Sequence, residues 1–294
     1  MAEARAAGTI YDLGYQTYGG TRLGRNDAIR NLIQYSFRAA FGLGRGPRAK
    51  ALPMIILAIV FLPALVQVGA ASITNQPNLV NFAGYLQFTA FSIALFAAAQ
   101  APELVVTDKQ QGVLALYLSR PITAGDYAMS KMFALTAAML VLTLGPQLFM
   151  FVGKVFLSAT PLELFKTEYT KLAPIFGGTM MTSLFVSAIA LSVSSLASRR
   201  AFATASVIAV FMLLPAASLI IRALTVGSVR RFAPLANPIL VITGFANWLF
   251  DVEAKKRSMV SRLDLPGQAY LYMMVAVIIA GVALLVLRYR KHNA

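Results

Sequence analysis

The sequence predicts an all-α integral membrane protein with six transmembrane helices. It predicts too an N-terminal cytoplasmic interfacial helix, a cytoplasmic hairpin after the second span and an extracellular helical excursion before the sixth. Three observations carry this. Of 294 residues 58% are hydrophobic and 13% charged, and the mean hydropathy of +0.70 lies beyond that of soluble domains. Long uncharged apolar stretches recur along the chain, and eight Lys and Arg precede the first of them while the next loop, 72–78, carries none.

A spanning helix needs about 20 apolar residues, because backbone polar groups in hydrocarbon must be satisfied within the segment itself. Six stretches meet that length without Asp, Glu, Lys or Arg: 51–71, 79–101, 132–153, 172–197, 201–221 and 269–287. Together they define a transmembrane domain over 51–287, preceded by a segment 1–50 and followed by a basic tail 288–294. Pro53, Pro63, Pro146, Pro174 and Pro215 fall inside spans, where they kink helices.

Short cytoplasmic segments are enriched in Lys and Arg, which sets orientation. Arg5, Arg22, Arg25, Arg30, Arg38, Arg45, Arg48 and Lys50 precede the first span, whereas the loop 72–78 carries no charge. The N-terminus is therefore expected in the cytoplasm, with the loop 102–131, the turn Ser198-Arg199-Arg200 and the C-terminal tail on the same side. The outside loop is 222–268. Within it Phe232 to Phe250 is uncharged and nearly long enough to cross, so a seven-span chain competes with six. The charge rule does not choose between them. Pro234 and Asn237-Pro238 break helix or start turns, and Asn247-Trp248 suits a bilayer interface, which favours a re-entrant or interfacial excursion.

The cytoplasmic pieces follow from local signals. Asn26 as N-cap, Asp27 in the first turn and Gly42 as a stop predict a helix over 27–41. Ile29, Ile33 and Phe37 lie on one side of it, opposite Arg30 and Arg38, as in a helix lying along a leaflet with its cations toward anionic lipid headgroups. In the loop 102–131, Pro102 and Glu103 suit a helix start, Gln110-Gln111-Gly112 a bend, and Val113 to Leu118 an apolar run ended by Pro121. Thr123-Ala124-Gly125-Asp126 has the capping-box pattern that opens the third span. A packed loop is one reading of this hairpin. An apolar surface helix rimmed by Asp108, Lys109 and Arg120 is the other, built like a partner-docking element.

Glu103, Gly112, the run LYLSRPIT over 116–123 and Lys131 at the head of a span together resemble the second-to-third-span region of type-2 ABC exporter permeases. The N-terminal TIYDLGYQTYGGTRLGRN is similar to leader segments of actinobacterial members, and the resemblance extends to drug-exporter-like permeases. It implies that the loop after the second span is a coupling helix seated in a separate ATPase subunit. Glu103, Asp108, Lys109, Gln111, Gly112, Leu116, Arg120 and Pro121 would then form the docking element, with 27–41 as a connecting helix. It further implies a second permease copy, identical or not, with ATP and Mg held by the ATPase chain and no cofactor on this one. The first, second and fifth spans line the pathway in that family, which makes Gln67, Gln87, Phe91, Phe211 and Met212 candidates. Uncharged spans there favour a lipophilic or amphiphilic cargo, a drug or lipid, exported across the cytoplasmic membrane.

Other chemistries find little support. With no cysteine, neither a disulfide nor a thiolate site is possible. The lone His292 lies in the basic tail, and the first fifty residues are too polar for a cleavable signal. Gly19-Gly20-Thr21-Arg22-Leu23-Gly24-Arg25-Asn26 has phosphate-loop glycine spacing, but Arg25 and Asn26 replace the lysine and hydroxyl residue that chemistry needs. No HExxH occurs, and no acidic residue lies within the six stretches, so an enzyme or proton-coupled carrier is poorly supported. Gln67, Gln87, Gln100 and Gln147 can face a cavity or bond between helices, and the stretch 177–195, rich in Ser, Thr, Gly and Met, suits close helix packing. A membrane scaffold or assembly factor and an ion-coupled secondary carrier are the rival functions. The net charge of +15 is consistent with leaflet orientation rather than nucleic acid binding.

Overall fold

In the computed structural model, residues 24–113, 117, 122–252 and 265–290 are described. Every regular element among them is a helix. Helix α1 spans Arg25–Ala40, α2 Pro47–Thr74, α3 Phe82–Gln110, α4 Ala124–Phe156 and α5 Pro161–Glu168. They are followed by α6, Leu172–Leu196, α7, Arg200–Leu224, α8, Gly227–Phe232, α9, Pro238–Leu249, and α10, Gly267–Arg290. Six of these, α2, α3, α4, α6, α7 and α10, are long and apolar enough to cross a membrane. The chain is a multi-pass membrane protein.

The apolar stretches are the middles of longer helices. The 33 residues of α4 extend about 50 Å at 1.5 Å per residue, well beyond a hydrocarbon core of about 30 Å. Pro102 does not start a helix, as its sequence context suggested. It sits inside α3, where tight packing of Ala98 to Val106 holds the helix through the missing hydrogen bond. Helices α3, α4 and α6 form the inner layer, with 61%, 56% and 67% of their apolar windows buried, against 22%, 17% and 22% for α2, α7 and α10.

Small residues let this layer close. A Cβ on Gly153 would fall 2.7 Å from Val68, and one on Gly281 would fall 3.0 Å from both Ala188 and Ser192. Ser192 Oγ donates to the Gly281 carbonyl at 3.0 Å, joining α6 to α10, and Thr143 and Ser183 hydroxyls meet at 3.1 Å between α4 and α6. The hydroxyl-rich stretch of α6 thus serves close packing.

Successive long helices run antiparallel. Arg25 with Asp126, Arg45 with Glu103, and Tyr127 with Tyr289 collect the starts of α1, α2 and α4 and the ends of α3 and α10 at one end of the bundle, here called the basic end. At the opposite end Gln67 Oε1 accepts from the Asn81 amide at 2.8 Å, and Phe82 stacks on Phe250 at 5.9 Å. The segment α8–α9 bends by 92° at its break, where Asn237 caps α9 by accepting from Leu240 N at 3.1 Å. Both ends of this bent pair lie at the far end: α7 delivers the chain there, and Trp248 lies so close to Gly267 that a Cβ would come within 2.0 Å of its ring. The 12 residues of α9 reach about 18 Å, too short to cross alone, and bury Leu240, Val241, Ile242 and Phe245 against the bundle.

Helix α1 corrects two expectations. Its N-cap is Gly24 without a side-chain cap, so Asn26 lies in the first turn. Its apolar side buries Leu32, Ala39 and Ala40 against α4 and α3 rather than lipid. Ile29, Ile33 and Phe37 are half-buried at the edge of that contact, and Arg30 and Arg38 are exposed. The expected stop is present: Gly42 has φ +65°, Leu43 N donates to Arg38 O at 2.8 Å, and Gly42 N donates to Ala39 O at 3.0 Å, a Schellman ending. Helix α5, with Pro161 in its first turn and Glu163 near its start, was not anticipated.

Candidate functional site at the basic end

Helix α3 carries two carboxylates past its apolar stretch, and each becomes the centre of a cationic cluster. Glu103 is 7% exposed. Arg45 Nη1 donates to its Oε1, and Arg200 Nη1 stands 2.5 Å from Oε2 as an ion pair. One carboxylate therefore ties the turn before α2 and the start of α7 to α3. Its hydrogen bond holds the Arg45 guanidinium above its ordinary pKa.

Asp108 lies about one turn further on. Its Oδ2 accepts from Lys131 Nζ at 2.7 Å and from Tyr127 Oη at 2.8 Å. The Lys131 side chain is 3% exposed, so this is a buried pair. Tyr127 meets Tyr289 edge-on at 4.9 Å, bringing in the end of α10, and Lys109 Nζ lies 5.6 Å from the Tyr289 ring centre. Lys109 also donates to Ser195 O at 2.6 Å and Gln110 Nε2 to Ser198 O at 3.2 Å, satisfying carbonyls that the end of α6 leaves open.

On the other side of the loop, Thr123 and Asp126 form the capping box expected from their spacing. Asp126 also takes a two-pronged bond from Arg25, Nε at 3.0 Å and Nη2 at 2.8 Å. The loop between α3 and α4 is thus anchored at both ends to α1, α6, α7 and α10.

The docking residues expected from the sequence divide into three groups. Gln111 and Gly112 are exposed in the turn that ends α3, where Gly112 has φ +65°. Asp108 is not part of a surface rim, and Glu103 is not on the surface either. They are buried, because α3 continues as a helix and turns both carboxylates inward onto Arg45, Arg200 and Lys131, and Lys109 is half-buried on α6. Leu116, Arg120 and Pro121 lie outside the described residues, as do the tail beyond Arg290, including His292, and the Gly19 to Leu23 part of the glycine-spaced stretch.

The pathway candidates do not meet in one cavity. Gln67 is half-buried and engaged with Asn81, while Gln87 and Met212 are exposed on the outer surface. Phe91 and Phe211 share a crevice between α3 and α7 with Leu95 and Ile208, about 10 Å³ in volume, room for at most about one water. Gln100 and Gln147 are buried.

Sequence reasoning missed Arg45, Arg200, Tyr127 and Tyr289 as partners of this end. It also missed Lys154, Glu168 and Lys171 at the far end, where Lys154 Nζ lies 2.6 and 2.7 Å from the two Glu168 oxygens and Lys171 Nζ lies 2.9 Å from Oε1. The available signal was a charged residue placed immediately beside an apolar stretch, as Lys154 follows Gly153 and Lys131 precedes Met132. Among the described residues no group of His, Asp or Glu stands close enough to hold a metal ion. No protein-family model matches the chain, and no curated protein matches it.

Proposed function

We propose that the chain is the transmembrane subunit of a type-2 ABC exporter, working as a dimer with a separate ATPase. The observation that carries this reading is the α3–α4 loop, which presents an exposed turn at Gln111-Gly112 while buried ion pairs and capping bonds fix both its ends. A chain that borrows force needs a stiff part to receive it. In this reading the basic end is cytoplasmic and holds both termini, six helices cross the cytoplasmic membrane, and α9 re-enters from outside.

ATP binding would close two ATPase subunits, draw two loops together and bias the spans toward one of two arrangements. Cargo shifts the same equilibrium only through its different affinity for the two states. Phe88 and Phe91 on α3, Ile55 and Ile59 on α2 and Leu213 and Ile220 on α7 are exposed apolar groups that a second copy or lipid would cover. Because the Phe91–Phe211 crevice is too small for cargo, the two copies together would form the transport space, lined by uncharged groups that suit a lipophilic or amphiphilic molecule.

Purification from native membranes tests the reading. An ATPase subunit should accompany the chain, and Gln111→Ala or Gln111→Glu should change its hydrolysis rate without changing the melting of this subunit by more than about 1 kcal/mol. Hydrolysis unaffected by either change favours a scaffold, and transport driven by an ion gradient without ATP favours a secondary carrier.

A further inference from the structure

The reversal from α1 into α2 leaves a cavity of about 400 Å³ at the basic end. Asn31, Gln34, Tyr35 and Arg38 line one wall, and Leu43, Gly44 and Arg45 the other. The first four follow at intervals of three, one and three residues, so they share one helical face. The Schellman ending at Gly42 and the left-handed Gly44, φ +85°, fold the turn back over that face.

The chemistry of the lining is one-sided. It offers two guanidiniums, two carboxamides and a phenol, and no carboxylate. The Arg45 guanidinium is already shared with Glu103, and Glu103 is itself bracketed by Arg200, so Arg45, Arg200 and Glu103 together leave one positive charge. The Arg38 guanidinium has no hydrogen bond or ion pair among the described residues and is exposed, which adds a second charge with an unused planar fork. A guanidinium fork matches a phosphate in geometry and charge.

We infer that this cavity binds the phosphate of an anionic lipid headgroup, with Arg38 as the principal contact. A lipid rather than a free phosphate is favoured because exposed apolar groups lie in the lining and along the helix that follows it. Leu43, 42% exposed, forms part of the lining, and Leu52 and Ile55, 47% and 58% exposed, follow within the first turns of α2, where acyl chains can lie. Basic pockets beside spans at a bilayer surface hold phosphate headgroups by the same physics. The inference needs only that the bundle sits in a bilayer and does not rest on the exporter reading.

The test uses the whole chain purified in mild detergent, with phosphatidic acid, phosphatidylcholine and inorganic phosphate as probes. Native mass spectrometry counts the bound molecules, and thermal melting reports their effect. The expected result is that phosphatidic acid binds at least tenfold more tightly than phosphatidylcholine, that Arg38→Ala removes this preference, and that Arg38→Lys, which keeps the charge and loses the fork, retains part of it. Melting of Arg38→Ala without lipid should match the parent, and Asn31→Ala should lower the affinity by a smaller factor. Equal retention of phosphatidic acid by parent and Arg38→Ala would overturn the inference. So would its displacement by millimolar inorganic phosphate, or a photo-crosslinker at Gln34 that captures only protein in native membranes.

Discussion

The Asp108–Lys131 pair is the most demanding part of the basic end to perturb. Lys131→Met removes the ammonium and leaves a carboxylate 11% exposed with only the Tyr127 hydroxyl donating to it. Breaking a buried pair from one side costs about 3–5 kcal/mol, and the surviving bond from Tyr127 places this variant near 3 kcal/mol. Asp108→Leu strands the ammonium against the Tyr127 ring, 5.3 Å away, and belongs near 5 kcal/mol on the same scale. The double variant removes both charges. It should recover most of the loss, because apolar replacements of similar volume are tolerated where a buried pair stood. At about 2–4 °C per kcal/mol, a scale set by soluble domains of 150–250 residues, the single variants should melt on the order of 10 °C lower in detergent and the double variant within a few degrees of the parent. The decisive quantity is the coupling between the two changes, expected to exceed about 2 kcal/mol. Additive losses, or a Lys131→Met variant as stable as the parent, would refute a buried pair as the anchor of the loop.

Three further outcomes follow from the packing and topology. Gly244→Leu should destabilise by about 1–3 kcal/mol from overpacking, because even a Cβ there would lie 2.5 Å from the Tyr270 ring; circular-dichroism melting reads the loss, while Gly177→Ala, which faces open space inside α6, should stabilise by about 0.5–1 kcal/mol. Glu168→Gln removes the charge shared by Lys154 and Lys171 and should lower stability by about 2 kcal/mol or more, with Lys171→Ala, whose side chain is 44% exposed, costing under about 1 kcal/mol. The chain has no cysteine, so single cysteines can be added directly. Those at Asn75 and Val252 should react with an impermeant maleimide from the same side of the membrane, and one at Gly112 from the other, whereas Val252 labelling from the Gly112 side would mean that Gly227–Leu249 crosses.

The spans were legible because hydrocarbon imposes a length and forbids charge, so an apolar run announces its own middle. Their ends were not, since a helix continues wherever its polar groups find partners, and those partners are remote in sequence. Arg45 and Glu103 are 58 residues apart and Lys109 and Ser195 are 86, separations that no local pattern encodes. The same gap turned Asp108, expected on a surface rim, and Glu103, expected to dock a partner, into buried anchors. Short-range features were readable: the Thr123–Asp126 capping box, the Gly42 stop and the break at Asn237-Pro238 each depend on residues within a few positions. Asn26 is not the cap because α1 starts one residue earlier, at Arg25, whose guanidinium bonds Asp126 on α4.

The central claim is that the exposed turn at Gln111-Gly112 receives force from another protein. A photo-crosslinking residue at Gln111, activated in native membranes, tests it most directly. The account predicts one dominant adduct with an ATPase subunit, its yield changing between nucleotide-free and ATP-bound membranes. Adducts with lipid alone, or none in membranes where the chain is abundant and folded, would contradict it.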